Sequence, residues 1–174
     1  MYLISIYFDE NANKILNRHI AKIAERTGNT FMTDYRVPPH MTISSVEARS
    51  GELLIPYVKQ LEAKLKKGTI RFMSVGAFFP YVLYATPVLN AYLQGLSKQI
   101  YDTVACVPET TVSRYYQPMQ WLPHVTLGKT LEKEQMQIAF QIMQEGFQPF
   151  EATVVRLGLA KTNPHEDLYF CDLK

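Results

Sequence analysis

The chain is poor in the features that mark secreted and membrane-spanning proteins. It has two cysteines among 174 residues, too few for a disulfide scaffold, and their spacing fits no zinc pattern. No segment approaches the roughly 20 apolar residues that a membrane span needs. The apolar stretch at residues 2–8 is closed at once by Asp9 and Glu10, so we expect no secretory leader. The expected location is the cytoplasm, without membrane attachment.

Neither sign of charge dominates the composition. The formal net charge is only +2, whereas a protein that binds long stretches of phosphate backbone is usually strongly basic. A nucleotide or a short RNA remains possible as a partner, because it needs only a local positive site. Hydrophobic residues make up 47% of the chain, which excludes disorder. We expect one domain over residues 1–174, built as two small lobes that share a core.

Apolar residues follow the strand period and the helix period in a mixed order along the chain. Helices are predicted at about 10–26, 52–66, 87–101 and 132–145. Asp9 and Gly28 are the predicted caps of the first helix, and Pro87 is placed in the first turn of the third. Strands are predicted at about 2–8, 40–46, 69–77, 80–86, 123–128, 150–160 and 167–173. This order indicates an α+β fold.

One short pattern occurs twice. Residues 39–43 read Pro-His-Met-Thr-Ile and residues 123–127 read Pro-His-Val-Thr-Leu, so the two histidines are 84 positions apart. Each copy lies on a predicted strand and is followed by a helix. A separation of about half the chain indicates two similar lobes that face each other.

The repeated strands carry a chemically useful pair of side chains. Because residues i and i+2 of a strand point to the same face, His40 projects with Thr42, and His124 projects with Thr126. If the lobes are related by a pseudo-twofold, both polar faces converge on one cleft. One imidazole can then remove a proton from a nucleophile while the other protonates the leaving oxygen. The threonine hydroxyls can donate to the non-bridging phosphate oxygens. No metal is needed, because a protonated histidine supplies the positive charge.

Plainer interpretations exist for every one of these residues. A single strand histidine is usually structural, and threonine is simply a favourable strand residue; the duplication is what favours catalysis. Metal-assisted hydrolysis is the weaker enzymatic alternative, because no nearby carboxylate or cysteine completes a ligand set. A nucleotide-binding or RNA-binding module without turnover is the non-enzymatic alternative. Of the other histidines, His19 is predicted on a helix surface and His165 in a solvated turn.

At the paired motifs the sequence resembles the two-histidine (2H) phosphoesterase superfamily, which includes 2'-5' RNA ligase-like proteins and cyclic nucleotide phosphodiesterases. The signature of that group is a pair of His-x-Thr/Ser-apolar motifs about 80 residues apart. The motifs here are His40-Met41-Thr42-Ile43 and His124-Val125-Thr126-Leu127. The flanking strands and helices also fall where the family has them, over most of the chain.

The resemblance implies a bilobal fold of two antiparallel sheets with flanking helices around a central cleft. It implies metal-independent, cofactor-free chemistry on 2',3'-cyclic phosphates or 2'-5' phosphodiesters, with ligation as the reverse reaction. By that likeness, His124 is the base toward the incoming nucleophile and His40 the acid toward the ribose oxygen in cyclic phosphate opening. The second motif departs from the ligase-like pattern at Lys129, where arginine is common, and this leaves the substrate open.

Candidate substrate contacts surround the motifs. A nucleobase prefers an aromatic platform, for which Tyr35, Tyr116 and Trp121 are candidates. Arg36 and Lys129 are candidate phosphate-binding cations. The alternative is that Trp121 caps the edge of the core and that the tyrosines and Arg36 are ordinary surface residues. The partner expected is a nucleotide or RNA with a cyclic phosphate or a 2'-5' linkage, and no obligatory protein partner is predicted.

Overall fold

The structure, a computed structural model, describes residues 1–35, 37–163 and 165–174. It contains five α-helices and eight strands in these ranges. The helices are α1 (Glu10–Thr27), α2 (Phe31–Asp34), α3 (Ile55–Glu62), α4 (Ala91–Val104) and α5 (Lys133–Gly146). The strands are β1 (Tyr2–Phe8), β2 (His40–Ala48), β3 (Gly68–Phe78), β4 (Val82–Pro87), β5 (Thr110–Val112), β6 (Val125–Gly128), β7 (Phe150–Lys161) and β8 (Glu166–Asp172).

All strand pairs are antiparallel, which confirms the α+β assignment, but the strands form one sheet instead of the two expected. Its order is β5-β2-β1-β7-β3-β4-β6, with β8 also on β7. The reason is the length of β7. Its 12 residues are enough for the first part to pair with β3 and the remainder to pair with β1 and β8. We call strands β5, β2, β1 and β8 the first wing and strands β6, β4 and β3 the second wing. Strand β7 lies between β1 and β8 and also joins the two wings.

The two halves of the chain have matching topologies. Apart from the short α2 and β5, which have no counterparts, residues 2–78 run β1-α1-β2-α3-β3 and residues 82–161 run β4-α4-β6-α5-β7. The halves exchange elements, because β1 pairs with β7 and β4 pairs with β3. Their helices cross over in the same way. Helix α1 packs on α5 and β6, whereas α4 packs on α3 and β2. The expected pseudo-twofold therefore relates intertwined halves, and β3 pairs with β7 at its centre.

Local signals explain most element boundaries. The side chain of Asp9 accepts a hydrogen bond from the Ala12 backbone at 3.0 Å, and Gly28 ends α1 with a φ of 70°, as predicted. The prediction for Pro87 was wrong, since it is the last residue of β4. Asn90 caps α4 instead, accepting a bond from the Leu93 backbone at 2.9 Å.

Nearly all buried hydrophobic residues form one cluster that includes side chains of both halves; Tyr7, Tyr84 and Ala160 are buried outside it. Its members come from the inner face of the sheet and from one side of α1, α3, α4 and α5. His19 lies in α1 with 6% of its surface exposed, so its predicted surface position was wrong. The division into a single domain stays a prediction. No helix in the described ranges is long and apolar enough to cross a bilayer.

Candidate active site

The first histidine motif lies on β2 of the first wing, which pairs with β1. His40 is opposite Tyr7 of β1, and Thr42 is opposite Ser5. Because alternate residues share a face, these four side chains lie on one side of the sheet. Met41 and Ile43 point to the other side and are fully buried. The apolar alternation of the motif therefore anchors β2 in the core and fixes the direction of the imidazole.

The second motif repeats this arrangement on β6. Thr126 is opposite Tyr84 of β4, while Val125 and Leu127 are buried in the core. The Thr86 hydroxyl donates to the Pro123 carbonyl oxygen at 2.8 Å, which fixes the backbone immediately before His124. Strands β2 and β6 contact each other. The two motifs thus meet at the junction of the wings, as their duplication predicted.

Both imidazoles are fixed by the same backbone contact. Nδ1 of His40 lies 2.9 Å from the Pro38 carbonyl oxygen, and Nδ1 of His124 lies 2.8 Å from the Leu122 carbonyl oxygen. A carbonyl only accepts hydrogen bonds, so we assign the proton to Nδ1 in both neutral rings. Nε2 has no partner among the described residues in either ring. Each Nε2 is therefore available to take or give a proton.

The surroundings of the two rings differ. The His124 ring is packed between aromatic side chains, with the Phe78 ring centroid 4.9 Å away at 84° and the Tyr84 centroid 5.4 Å away. The Tyr7 ring centroid lies 6.0 Å from the centroid of the His40 ring. Charged and titratable groups of the β7-β8 turn region, His165 and Asp167, also lie near His40.

Burial is the main influence on both imidazoles. It lowers the pKa of His40, an effect opposed by the bond to the Pro38 carbonyl. His165 and His124 lower the pKa of His40 further, whereas Asp167 raises it. Burial also lowers the pKa of His124, and the Leu122 carbonyl opposes it. In the free protein, burial therefore favours the neutral form of both rings. An anion bound between them would favour their protonated forms.

The two threonines have different supports. The Thr42 hydroxyl is buried and lies 3.3 Å from the Ser5 hydroxyl. Thr126 is half-buried and lies beside Tyr84, whose ring covers Gly76 of β3. A Cβ on Gly76 would lie 2.6 Å from the Tyr84 hydroxyl oxygen, so glycine is needed there for this ring to lie against the strand. Each hydroxyl lies on the same face of the chain as the imidazole two residues earlier.

Sequence comparison agrees with this geometry. The profile of the 2'-5' RNA ligase superfamily matches residues 14–166, a span that includes both motifs. The chain belongs to this superfamily. It is thus a 2H phosphoesterase, and its family and fold indicate a phosphoesterase or ligase-like function. A search of curated protein sequences found no match.

Solved structures show the same fold as this 2H phosphoesterase. Escherichia coli LigT in complex with 3'-AMP is similar with a TM-score of 0.63 and 12% identity, covering 99% of this chain and 97% of LigT. The Thermus thermophilus protein TT0787 has a TM-score of 0.59 and 16% identity, with coverage of 99% and 97%. A further structure described as a phosphoesterase has a TM-score of 0.61 and 14% identity, again with coverage of 99% and 97%.

The structure brings two of the predicted substrate contacts together. Tyr35 is 65% exposed, and its ring centroid lies 4.7 Å from that of Phe31 in α2. The Lys129 ammonium lies 5.3 Å from the Phe31 centroid. Phe31 was not predicted from sequence. We name these three residues the aromatic-lysine cluster; α2 places it beside β6.

The other predicted contacts do not join this cluster. Trp121 is 6% exposed and belongs to the core, so its ring is not available as a stacking platform and the core interpretation was right. Tyr116 is half-buried in a short turn of 3₁₀-helix at Arg114–Tyr116, beside β2. Arg36 lies outside the described residues.

Sequence reasoning missed the residues that surround the histidines. Tyr7 of β1 and Tyr84 of β4 are both 8% exposed and lie in the strands paired with the two motifs. A signal for Tyr7 was present, because Ser5 and Tyr7 alternate with Ile4, Ile6 and Phe8. That alternation indicates a strand with one polar face instead of a strand buried on both faces.

Proposed function

We propose that this protein is a metal-independent phosphodiesterase that acts on RNA or nucleotide 2',3'-cyclic phosphates or 2'-5' phosphodiester bonds. The observation that carries the proposal is the matched pair of imidazoles. Both keep their Nδ1 proton on a backbone carbonyl and leave Nε2 available on strands that contact each other. Two such groups are what an acid and a base on opposite sides of a phosphorus atom require.

The reaction needs one neutral and one protonated ring. In cyclic phosphate opening, Nε2 of neutral His124 takes a proton from water as the water oxygen bonds to phosphorus. Protonated His40 gives its Nε2 proton to the ribose oxygen as the P–O bond breaks. With a ribose 5'-hydroxyl in place of water, the same step would form a P–O5' bond, break the P–O3' bond of the cyclic phosphate and so make a 2'-5' linkage. The roles of the two histidines exchange in the reverse reaction, in which the linkage is cleaved and the cyclic phosphate forms again. The substrate phosphate itself favours protonation of one ring.

Charge that develops on the non-bridging oxygens needs donors that are already in position. The hydroxyls of Thr42 and Thr126 lie two residues beyond their histidines, on the same face of each strand. The Ser5 hydroxyl restrains Thr42, so little reorganisation is needed when the transition state forms. We assign the threonines this stabilising role.

The aromatic-lysine cluster supports a nucleotide as the substrate. Tyr35 and Phe31 offer ring surface on which a base can stack, and Lys129 supplies a cation at the end of the β6 motif strand. LigT has been crystallised with 3'-AMP. We propose that the cluster binds the nucleoside or phosphate on the His124 side of the reacting diester.

Turnover of 2',3'-cyclic nucleotides and 2'-5' dinucleotides in the presence of excess EDTA tests this function. We expect hydrolysis of at least one class with EDTA present. Activity that is lost in EDTA and restored by an added divalent metal would contradict the metal-independent mechanism. Tight nucleotide binding without turnover, kept when both histidines are replaced by alanine, would identify a binding module instead.

A further inference from the structure

The His40 motif is the first position of a continuous row of side chains across the first wing. His40 pairs in register with Tyr7 of β1, Tyr7 with Arg156 of β7, and Arg156 with Asp172 of β8. Cross-strand partners project from the same face of a sheet. The row therefore places an arginine on the same side of the sheet as the imidazole, two strands away.

Arg156 is oriented by its neighbours yet keeps donors available. Its Nε donates to Asp172 Oδ1 at 2.7 Å, and its guanidinium carbon lies 5.7 Å from the Phe170 ring centroid. In the part of the chain that the structure describes, Nη1 and Nη2 have no hydrogen-bond partner. The side chain is 49% exposed. A guanidinium held through Nε, with both terminal amino groups open to solvent, matches the two oxygens of a phosphate.

Tyr7 fills the space between His40 and Arg156. Burial raises its pKa to about 12, so the phenol remains a neutral O–H donor at physiological pH. Its ring meets the Phe170 ring edge at 5.4 Å, and both rings lie against Gly158, where a Cβ would be 2.6 Å from Phe170. Because Gly158 has no side chain, both rings pack against the strand beside Arg156.

The distance along the row separates Arg156 from the reacting phosphate. Adjacent strands are about 4.8 Å apart, so the Cα atoms of His40 and Arg156 are about 10 Å apart across β1. Asp172 holds the guanidinium toward β8, away from β2. In the second wing the matching positions hold Thr86 and Ser74, which offer no cation. The asymmetry fits a substrate that extends beyond the diester on the His40 side only.

We propose that Arg156 and Tyr7 form a phosphate-binding subsite that takes a second phosphate of the substrate, on the 5' side of the reacting ribose. This inference rests on the proposed function, in which His40 protonates the ribose oxygen and therefore lies next to the ribose. The 5' substituent of that nucleoside is then directed along the row toward Arg156. The preferred substrate is an oligonucleotide, or a nucleotide that carries a phosphate on O5' in addition to the reacting phosphate. A nucleotide with only the reacting phosphate should bind less tightly.

A different interpretation is that Arg156 and Asp172 form an exposed cross-strand ion pair that contributes little to stability and nothing to binding. A matched control separates the two. Arg26 of α1 also pairs with a carboxylate, Glu145 of α5, at 3.0 Å, and its side chain is 44% exposed. Arg26→Ala removes an equivalent surface ion pair between two helices.

The test is calorimetric titration of adenosine 3',5'-bisphosphate and adenosine 3'-monophosphate into the wild type, Arg156→Ala, Arg156→Lys and Arg26→Ala. We expect the wild type to prefer the bisphosphate by about tenfold or more, the size of one charge-assisted contact. Arg156→Ala should abolish this preference, Arg156→Lys should reduce it, and Arg26→Ala should keep it.

Three results would overturn the subsite: no preference in the wild type, an unchanged preference in Arg156→Ala, or no binding of either nucleotide. The outcome is independent of turnover. A preference that depends on Arg156 in a protein without phosphodiesterase activity would keep the subsite and reject the proposed function. If cyclic phosphates are turned over but Arg156→Ala keeps the preference for the bisphosphate, the proposed function stands and the subsite is rejected.

Discussion

The two wings hold their histidines in the same way and surround them differently. Each imidazole is anchored through Nδ1 to the carbonyl two residues earlier, at 2.9 Å for His40 and 2.8 Å for His124. Around His124 the neighbours are the aromatic rings of Phe78 and Tyr84. Around His40 they include charged and titratable groups of β8 and the turn before it.

This difference indicates how two copies of one strand motif can provide both an acid and a base. Both motifs lie on a strand with alternating apolar residues, and both hold Nδ1 against a backbone carbonyl. The two imidazoles therefore have the same tautomer. Acid and base must differ in protonation during turnover, and only their surroundings can make them differ. The aromatic enclosure of His124 favours a neutral ring. Near His40 the Asp167 carboxylate raises the pKa of the ring, whereas His165 and His124 lower it. The assignment of His124 as the base and His40 as the acid therefore stays a prediction.

The largest expected effect comes from removing either imidazole. His40→Ala and His124→Ala should each lower kcat by about 1,000-fold, because general acid–base catalysis contributes on that order. The double variant should be little worse than either single one, because the two residues act as a unit. Steady-state turnover of a cyclic nucleotide, together with thermal unfolding, measures this.

The exposed His165, which donates no proton in this mechanism, provides the control. His165→Ala should stay within a few-fold of the wild-type kcat, since exposed charges near a site have modest effects. A folded His40→Ala or His124→Ala protein with near-normal kcat would show that the two histidines do not act as an acid–base pair.

Replacing the threonine hydroxyls should have the next largest effect. Thr42→Val and Thr126→Val keep the side-chain shape and remove one donor, which should cost about 100-fold in kcat. Ser5→Ala should cost only a few-fold, because Ser5 contacts Thr42 and acts through it. A loss in Ser5→Ala as large as in Thr42→Val would mean that Ser5 itself contacts the substrate.

The charged neighbours of His40 give a smaller, directional prediction. Asp167 raises the pKa of His40 and is not among the influences on His124. Asp167→Asn should therefore move one limb of the kcat/KM pH profile toward lower pH and leave the other in place. Asp102→Asn, an exposed change on α4, should move neither. Equal shifts of both limbs would mean that the two rings share one electrostatic environment.

The smallest effect concerns stability, in the helices that cover the two wings. Helix α1 buries His19 and α4 buries Ser97, and each has a polar side-chain atom without a partner in the described ranges. Burial lowers the pKa of His19. The unfolded chain thus binds more protons near that pKa, and stability is fully present above about pH 6.5 and falls as the pH decreases.

His19→Leu should flatten this acid-dependent loss and raise the free energy of unfolding at pH 7 by about 1 kcal/mol, because it removes an unpaired buried nitrogen. Ser97→Ala should change stability by a similar amount at every pH. Urea unfolding at pH 5, 6 and 7 measures both. An unchanged pH slope in His19→Leu would assign the acid sensitivity to other groups.

Local and repeated signals allowed much of the fold and the core of the site to be predicted. The caps of α1 follow from Asp9 and Gly28, and the convergence of β2 and β6 follows from the repeated Pro-His-x-Thr pattern. The joining of the wings could not be predicted. It depends on β7 pairing with β3 along one part and with β1 and β8 along another, and sequence periodicity carries no information on partners.

The surroundings of the site were missed for the same reason. Tyr7, Tyr84 and Arg156 are ordinary strand residues until the strand order places them beside the motifs. Trp121 was a candidate platform because it precedes His124, but the chain turns its ring into the core. Proximity in sequence was informative for Lys129 and Tyr35, which meet at Phe31.

The pH dependence of kcat/KM for a 2',3'-cyclic nucleotide, measured in EDTA, tests the pairing of His40 and His124 most directly. Paired acid–base catalysis should give a bell-shaped profile with limbs from two imidazoles. Its centre should lie below pH 6.5, the ordinary imidazole pKa, because burial lowers the pKa of both rings in the free protein. A rate that rises steadily through pH 9 would contradict paired acid–base catalysis by His40 and His124.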